Sequence, residues 1–102
     1  MILREEDHDG FVYWVGSDWY GDPIKIGYAH NVRERLYKLR TASWIELQVF
    51  GYVPGDQRVE KRIHAYLDPV HVRGEWFERE PALELLEDMK IEWMLHTEGA
   101  TA

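Results

Sequence analysis

Residues 11–15, Phe-Val-Tyr-Trp-Val, and residues 24–28, Ile-Lys-Ile-Gly-Tyr, decide the fold of this chain. The first run is β-branched or aromatic throughout, which is typical of a strand buried on both faces. The second run alternates in polarity, as a strand does. Between them, residues 16–23 contain two glycines, two aspartates, a serine and a proline. The two runs are therefore predicted to form a β-hairpin with a long turn.

The rest of the chain adds three helices and two strands, in the overall order ββαβαβα. The predicted helices span residues 32–40, 57–67 and 81–96, and the predicted strands span residues 44–53 and 75–78. Asn31 is a suitable cap for the first helix, and Pro81 suits the first turn of the third. We expect an α+β domain, with a small antiparallel sheet of three to four strands flanked by about three helices.

The length of 102 residues predicts one domain over residues 11–96, with a polar lead-in at residues 1–10 and a tail at residues 97–102. There is no cysteine, which excludes disulfides, thiol nucleophiles and cysteine-ligated zinc. No apolar run approaches the roughly 20 residues of a membrane helix. The first residues also lack the basic-then-apolar order of a signal peptide. We expect a soluble, cytoplasmic protein without a membrane partner.

The net charge of −7 argues against a nucleic-acid partner, but the charges are unevenly distributed. Residues 24–41 hold five basic side chains and one acidic one, whereas residues 75–92 hold seven acidic and two basic ones. Because local potential matters more than the total, the sequence predicts a basic face on an acidic body.

Spacing within the elements suggests chemistry but leaves alternatives open. Glu60 and His64 are four residues apart on the second helix, so they share a face. In a functional interpretation Glu60 would be a metal ligand and His64 a second ligand or a proton carrier. In the alternative interpretation both belong to a solvated helix face. Tyr13 and Lys25 lie on adjacent strands of the hairpin and either meet functionally or simply pack together. Arg33 and Arg35 point in different directions, so they cannot both bind one phosphate.

The order of these residues resembles the GIY-YIG nuclease superfamily. The resemblance is closest to its compact phage and fungal branch, described as phage-type DNA-binding or meiotically up-regulated gene-like, and it covers residues 11–78. The matching features are Val12-Tyr13, Lys25-Ile26-Gly27, Asn31, Arg35-Leu36, Glu60 with His64, and Gly74-Glu75-Trp76-Phe77.

The resemblance implies five catalytic residues. Tyr13 would lie near the attacking water, and Lys25 stands where the second motif usually has its first tyrosine. Arg35 would face the scissile phosphate, and Glu60 would be the single carboxylate that binds Mg²⁺ or Mn²⁺, with His64 nearby. A phenol with a pKa of about 10 is mostly protonated at neutral pH, and a cation such as Lys25 would lower that pKa.

The resemblance also implies contacts with substrate. Gly27 would permit close backbone approach, and Tyr28 occupies a position where some relatives carry a polar group. The basic side chains Arg33, Lys38 and Arg40 would bind the backbone of duplex, nicked or branched DNA. The function expected is metal-dependent hydrolysis of DNA phosphodiesters by an endonuclease related to phages or mobile elements, alone, as a homodimer or with a protein partner.

Two other functions remain compatible with the sequence. A DNA-binding module without turnover would keep the basic patch and lose the response to metal, and its binding would weaken steeply with salt. A protein-interaction domain would instead use exposed aromatic anchors, namely Trp19, Tyr20 or Trp44.

Overall fold

The computed structural model describes residues 10–43 and 45–101, with side chains described up to residue 92 and at Met94. Most of the predicted lead-in, together with Trp44 and Ala102, lies outside the described residues. The elements are β1 Phe11–Gly16, β2 Ile24–Ala29, α1 Val32–Ala42, β3 Gln48–Pro54, α2 Gln57–Tyr66, β4 His71–Arg73, β5 Trp76–Phe77 and α3 Arg79–Thr101, with a short 3-10 helix at Asp68–Val70. None of the described helices is both long enough and apolar enough to cross a bilayer.

All strands belong to one antiparallel sheet in the order β3-β1-β2-β5-β4. The α+β class is therefore confirmed, but the sheet has five strands rather than three to four. The additional strand arises because the predicted strand at residues 75–78 is one half of a small hairpin. That hairpin turns at Gly74, whose φ of 54° lies in the left-handed region that glycine adopts without strain.

The hairpin β1–β2 forms the centre of the sheet and has helices on both faces. On one face Val12, Trp14 and Ile26 pack against α2 and α3. Trp14 Nε1 also donates a hydrogen bond of 2.9 Å to the carbonyl of Ala82, which fixes α3 against the strand. On the other face Tyr13 and Val15 pack beneath α1. The prediction that β1 is buried on both sides is confirmed.

The ends of the helices follow from local sequence. Asn31 caps α1 as predicted, because its Oδ1 accepts a hydrogen bond of 3.0 Å from the amide of Glu34. Helix α3 begins at Arg79, two residues before Pro81, and it continues beyond the predicted end at residue 96. Strand β3 begins at Gln48 instead of residue 44.

The two helices of opposite charge lie on opposite faces of the sheet. Basic α1 covers the face that carries Tyr13, and acidic α3 covers the face that carries Trp14. The prediction of a basic face on an acidic body therefore has a structural basis. A ligand that approaches α1 has the sheet between it and the acidic helix.

Candidate functional site

The candidate site lies at the outer edge of β2, where the pairing with β5 ends. The two strands pair only at Ile24 with Phe77 and at Lys25 with Trp76. At the next residue, the amide of Ile26 donates to the carbonyl of Glu75 at 2.9 Å. The carbonyl of Ile26 accepts a hydrogen bond of 2.8 Å from His64 Nε2. This bond holds the face of α2 that carries Glu60 against the open edge.

Gly27 makes room for the ring of Tyr13. The two residues are directly opposite each other in the β1–β2 ladder. A Cβ atom at position 27 would lie 2.6 Å from Tyr13 Cζ and closer still to the hydroxyl oxygen. The Tyr13 side chain therefore lies across the backbone of β2 and directs its hydroxyl toward the open edge. Any residue with a side chain at position 27 would displace the ring.

The Tyr13 hydroxyl is buried and has no hydrogen bond of good geometry within the described part of the chain, although the guanidinium of Arg35 lies close enough to interact with it. Burial raises the pKa of Tyr13 above its usual value, the guanidinium of Arg35 offsets part of this rise, and the carboxylates of Glu75 and Glu60 add to it. Buried polar atoms in folded proteins nearly always have partners. With Arg35 beside it, the hydroxyl is still able to bind an external ligand at the open edge.

The prediction that Lys25 lowers the pKa of Tyr13 is wrong. In the observed register Lys25 lies opposite Val15, two residues along from Tyr13. Its ammonium forms an ion pair of 2.8 Å with Glu75 Oε1 and lies 5.8 Å from the centroid of the Trp76 ring. Arg35 is the cation that acts on the phenol, and its effect is smaller than that of burial.

Glu60 belongs to the same electrostatic cluster. Burial and the neighbouring carboxylate of Glu75 raise the pKa of Glu60, while the positive charges of His64, Lys25 and Arg35 oppose the rise. Two carboxylates close together in a half-buried position favour a divalent cation, which would relieve their repulsion. Charged side chains from four elements thus meet at the open edge of β2: α1, α2, β2 and the β4–β5 turn.

The donor set fits a hard cation that keeps part of its hydration. Among the described residues, no three His, Asp or Glu side chains are grouped as a metal cage. Glu60 supplies carboxylate oxygens, with Glu75 close by and already paired to Lys25. Mg²⁺ is commonly held by one or two carboxylates together with water and substrate phosphate. Glu60 as a ligand for Mg²⁺ or Mn²⁺ is compatible with this arrangement.

Replacing Glu60 with glutamine is expected to raise the melting temperature by a few degrees at neutral pH. The pKa of Glu60 is higher in the folded state than its ordinary value of 4.5, so its ionisation favours the unfolded chain. The gain should vanish below that value, where the carboxyl is protonated in both states, and should grow as the pH rises through the folded pKa. Thermal melts of both proteins between pH 4 and 8 measure this difference. Glu84→Gln, which removes an exposed acid from α3, reports the general benefit of losing one negative charge, and an equal gain in that variant would contradict the expectation.

The structure groups the predicted catalytic residues and leaves most of the predicted DNA-contact residues elsewhere. The predicted catalytic residues and Gly27 surround the open edge of β2, namely Tyr13, Lys25, Arg35, Glu60 and His64 with Gly27.

The other predicted DNA-contact residues lie away from this edge. Arg33 lies on the other side of α1, and the Tyr28 hydroxyl is 3.4 Å from His30 Nε2. Lys38 pairs with Glu34 at 3.4 Å, and Arg40 Nε donates to the carbonyl of Leu47 at 2.9 Å. Arg40 thus connects α1 to the segment that follows it.

Sequence reasoning gave no role to Glu75. Its carboxylate acts on both Tyr13 and Glu60, and its carbonyl receives the amide of Ile26. The signal that could have identified it is Lys25, because a charged residue in an otherwise apolar central strand requires a counter-ion. The acid two residues before Phe77 is the one that the antiparallel pairing of β5 with β2 brings within reach.

The comparisons with known proteins agree with the extent of this unit. Residues 10–94 match the family model described as the T5orf172 domain. This range includes all five strands and every residue of the candidate site. No curated protein and no solved structure matches the chain significantly.

Proposed function

The chain belongs to the T5orf172 domain family, and from that membership we propose that it binds DNA and hydrolyses its phosphodiester bonds with a divalent metal ion, as GIY-YIG nucleases do. The observation that carries the proposal is the meeting of Tyr13, Arg35 and Glu60 beside a basic helix. A guanidinium and a metal-binding carboxylate can stabilise the charge that develops during in-line attack on a phosphodiester, and a phenol can orient the attacking water.

Glu60 would hold Mg²⁺ or Mn²⁺, and the ion would polarise the phosphate and stabilise the leaving oxygen. Arg35 is exposed, so its guanidinium can reach a phosphate oxygen of a bound strand. It would stabilise negative charge on the phosphorus oxygens, and this stabilisation is strongest in the transition state.

Tyr13 would orient the attacking water. Because the pKa of Tyr13 is raised, its phenol is protonated at neutral pH and can donate a hydrogen bond. The same oxygen can accept a hydrogen bond from a water molecule, which orients the water. As the water attacks phosphorus, its proton would pass to solvent at the open edge, and the leaving oxygen would take up a proton from solvent. Gly27 and the ladder of β1 with β2 keep the ring in place.

His64 and Lys25 would act through other residues. His64 Nε2 is already bound to the carbonyl of Ile26, so this atom holds α2 at the strand edge and leaves Glu60 as the ligand. Lys25 neutralises Glu75, which limits the negative charge near the attacked phosphate. Both are positioning residues in this proposal.

The test is cleavage of supercoiled plasmid and of branched DNA with Mg²⁺ or Mn²⁺. We expect metal-dependent nicking that falls at least about 10²-fold in Glu60→Gln, since one ligand and its charge are lost. Glu84→Gln serves as the matched control and should cleave like the wild type. A folded wild-type protein that cleaves none of these substrates, or a Glu60→Gln variant with full activity, would contradict the proposal.

A DNA-binding module without turnover is favoured by one observation. The residue at the place of the second-motif tyrosine is Lys25, and an ion pair with Glu75 holds it. In this case α1 would still bind the phosphate backbone, and a gel-shift salt series would show affinity falling steeply with salt and no response to metal.

A protein-interaction role is favoured by the tip of the β1–β2 hairpin. Trp19 and Tyr20 are 58% and 83% exposed, and their rings lie 5.6 Å apart. Exposed Trp and Tyr side chains are frequent anchors of protein interfaces. A second copy of the chain or another protein would dock there, away from the edge of β2.

A further inference from the structure

A second concave surface lies on the other side of α1 from the candidate site. It is a hollow of about 480 Å³, bounded by the start of α1 and by β3. Arg33 lines it, whereas Arg35 faces the candidate site. Two residues along a helix differ in direction by about 200°, so these two arginines lie on opposite sides of α1. Helix α1 therefore separates two surfaces that share one sheet face.

The lining of this hollow combines aromatic rings with unused donors. The rings of Phe11 and Tyr52 meet edge to face, with centroids 5.4 Å apart, and Tyr52 is 49% exposed. Arg33 has no ion pair within the described part of the chain. Asn31 uses its Oδ1 to cap α1, and its amide nitrogen makes no hydrogen bond there.

These features fit a planar, polar ring attached to a negatively charged chain. The volume lies within the range of small-molecule sites. Nucleobases stack on exposed aromatic side chains, and arginine binds the phosphate that joins successive bases. The basic side chains of α1 complement the negative charge of a polyanion such as a nucleic-acid strand.

We propose that this hollow, bounded by Phe11, Asn31, Arg33 and Tyr52, holds one unstacked nucleobase of the strand that is cleaved at Arg35. The proposal rests on the function proposed above and specifies its substrate. A helix with its side chains is about 10 Å across, and a stacked DNA strand rises about 3.4 Å per nucleotide and an unstacked one more, so the base would lie within about three nucleotides of the scissile phosphate. A paired, stacked base cannot enter the hollow, so the preferred substrates are branched, nicked or bulged rather than intact duplex.

The test uses three DNA duplexes. The first has a bulge with an extrahelical 2-aminopurine, the second has the 2-aminopurine in a base pair, and the third has an abasic analogue at the bulge. Binding of the Glu60→Gln variant in EDTA is followed by 2-aminopurine fluorescence and anisotropy, so no cleavage is required. We expect quenching only for the extrahelical base, and weaker binding of the abasic duplex. Tyr52→Leu should weaken binding of the bulged duplex about 5- to 150-fold, whereas Tyr52→Phe, which keeps the ring face, should bind like its parent.

The controls separate the possible outcomes. Tyr66→Ala removes a ring from α2 that is more exposed than Tyr52, 72% against 49%, and should leave the affinity unchanged. Equal affinity for bulged and abasic duplexes, or equal binding by Tyr52→Leu and Tyr52→Phe, would overturn the proposed base site. An RNA version that binds as well as DNA would support the site and widen its ligand class. Ring-dependent binding by a wild-type protein that cleaves nothing would support the base site and reject the nuclease.

Discussion

Replacing Arg35 with alanine is expected to slow DNA cleavage by about 10²- to 10³-fold, with little change in melting temperature. The guanidinium is exposed and makes no ion pair within the described part of the chain, so the fold does not depend on it. It is, however, a cation that opposes the raised pKa of both Tyr13 and Glu60. At Tyr13 it is the main opposing charge, whereas at Glu60 its effect follows those of His64 and Lys25. Its loss would remove positive charge from the transition state, and it should not weaken metal binding at Glu60, because a guanidinium repels a neighbouring cation.

Single-turnover kinetics at saturating DNA measure this effect. Arg35→Lys should recover only part of the rate, because an ammonium lacks the planar fork of the guanidinium. The matched control is Arg62→Ala, which removes an exposed arginine from α2 and should alter DNA binding at most. If Arg62→Ala slows the chemical step as much as Arg35→Ala, or if Arg35→Ala changes only the Kd, then Arg35 has no special place in the reaction.

Gly27→Ala is expected to abolish nearly all cleavage and to destabilise the fold by about 1–3 kcal/mol. The new Cβ would occupy the space of the Tyr13 ring, 2.6 Å from its Cζ, in the centre of the sheet. Either the ring leaves its position or β2 shifts away from β1, and both changes move the hydroxyl relative to Glu60 and Arg35. Chemical unfolding and the plasmid assay measure the two effects.

Two comparisons isolate the contact between Gly27 and Tyr13. Gly51→Ala places a Cβ 3.0 Å from Leu86 Cδ2 on the other face of the sheet, so it should cost stability without loss of the chemistry. In a Tyr13→Phe background the atom nearest to the new methyl group is missing. The stability cost of Gly27→Ala should therefore be smaller there than in the wild type. Additive costs would show that the two residues do not compete for space.

The central elements could be predicted because their signals are local. The run at residues 11–15 specifies a buried strand, and Asn31 specifies the start of α1. Strand β4 could not be predicted in this way, since all three of its residues are exposed and only its pairing with β5 defines it. Strand β3 began later than expected, because alternation alone does not locate the end of a strand.

The site was harder to predict because it depends on register and on packing. The sequence indicated that Tyr13 and Lys25 are close because they lie on adjacent strands. In the observed register Lys25 is opposite Val15, and its ammonium pairs with Glu75. The proximity of Arg35 and Glu60 to Tyr13 comes from three elements far apart in sequence, and only the family resemblance indicated it. No pattern in the sequence indicated that Phe11 and Tyr52 meet next to Arg33.

The placement of α1 and α3 on opposite faces has a consequence for how the protein meets a polyanion. A helix packs about 10 Å from a sheet, so the basic and acidic helices are separated by roughly 20 Å. At physiological ionic strength the Debye length is about 8 Å, which hides the acidic face from a strand at α1. At 0.01 M salt it is about 30 Å, and the whole charge of −7 then acts on the approaching strand. At physiological salt an approaching anion therefore senses mainly the charge of the nearer face, whereas in dilute buffer a distant anion senses the charge of the whole molecule.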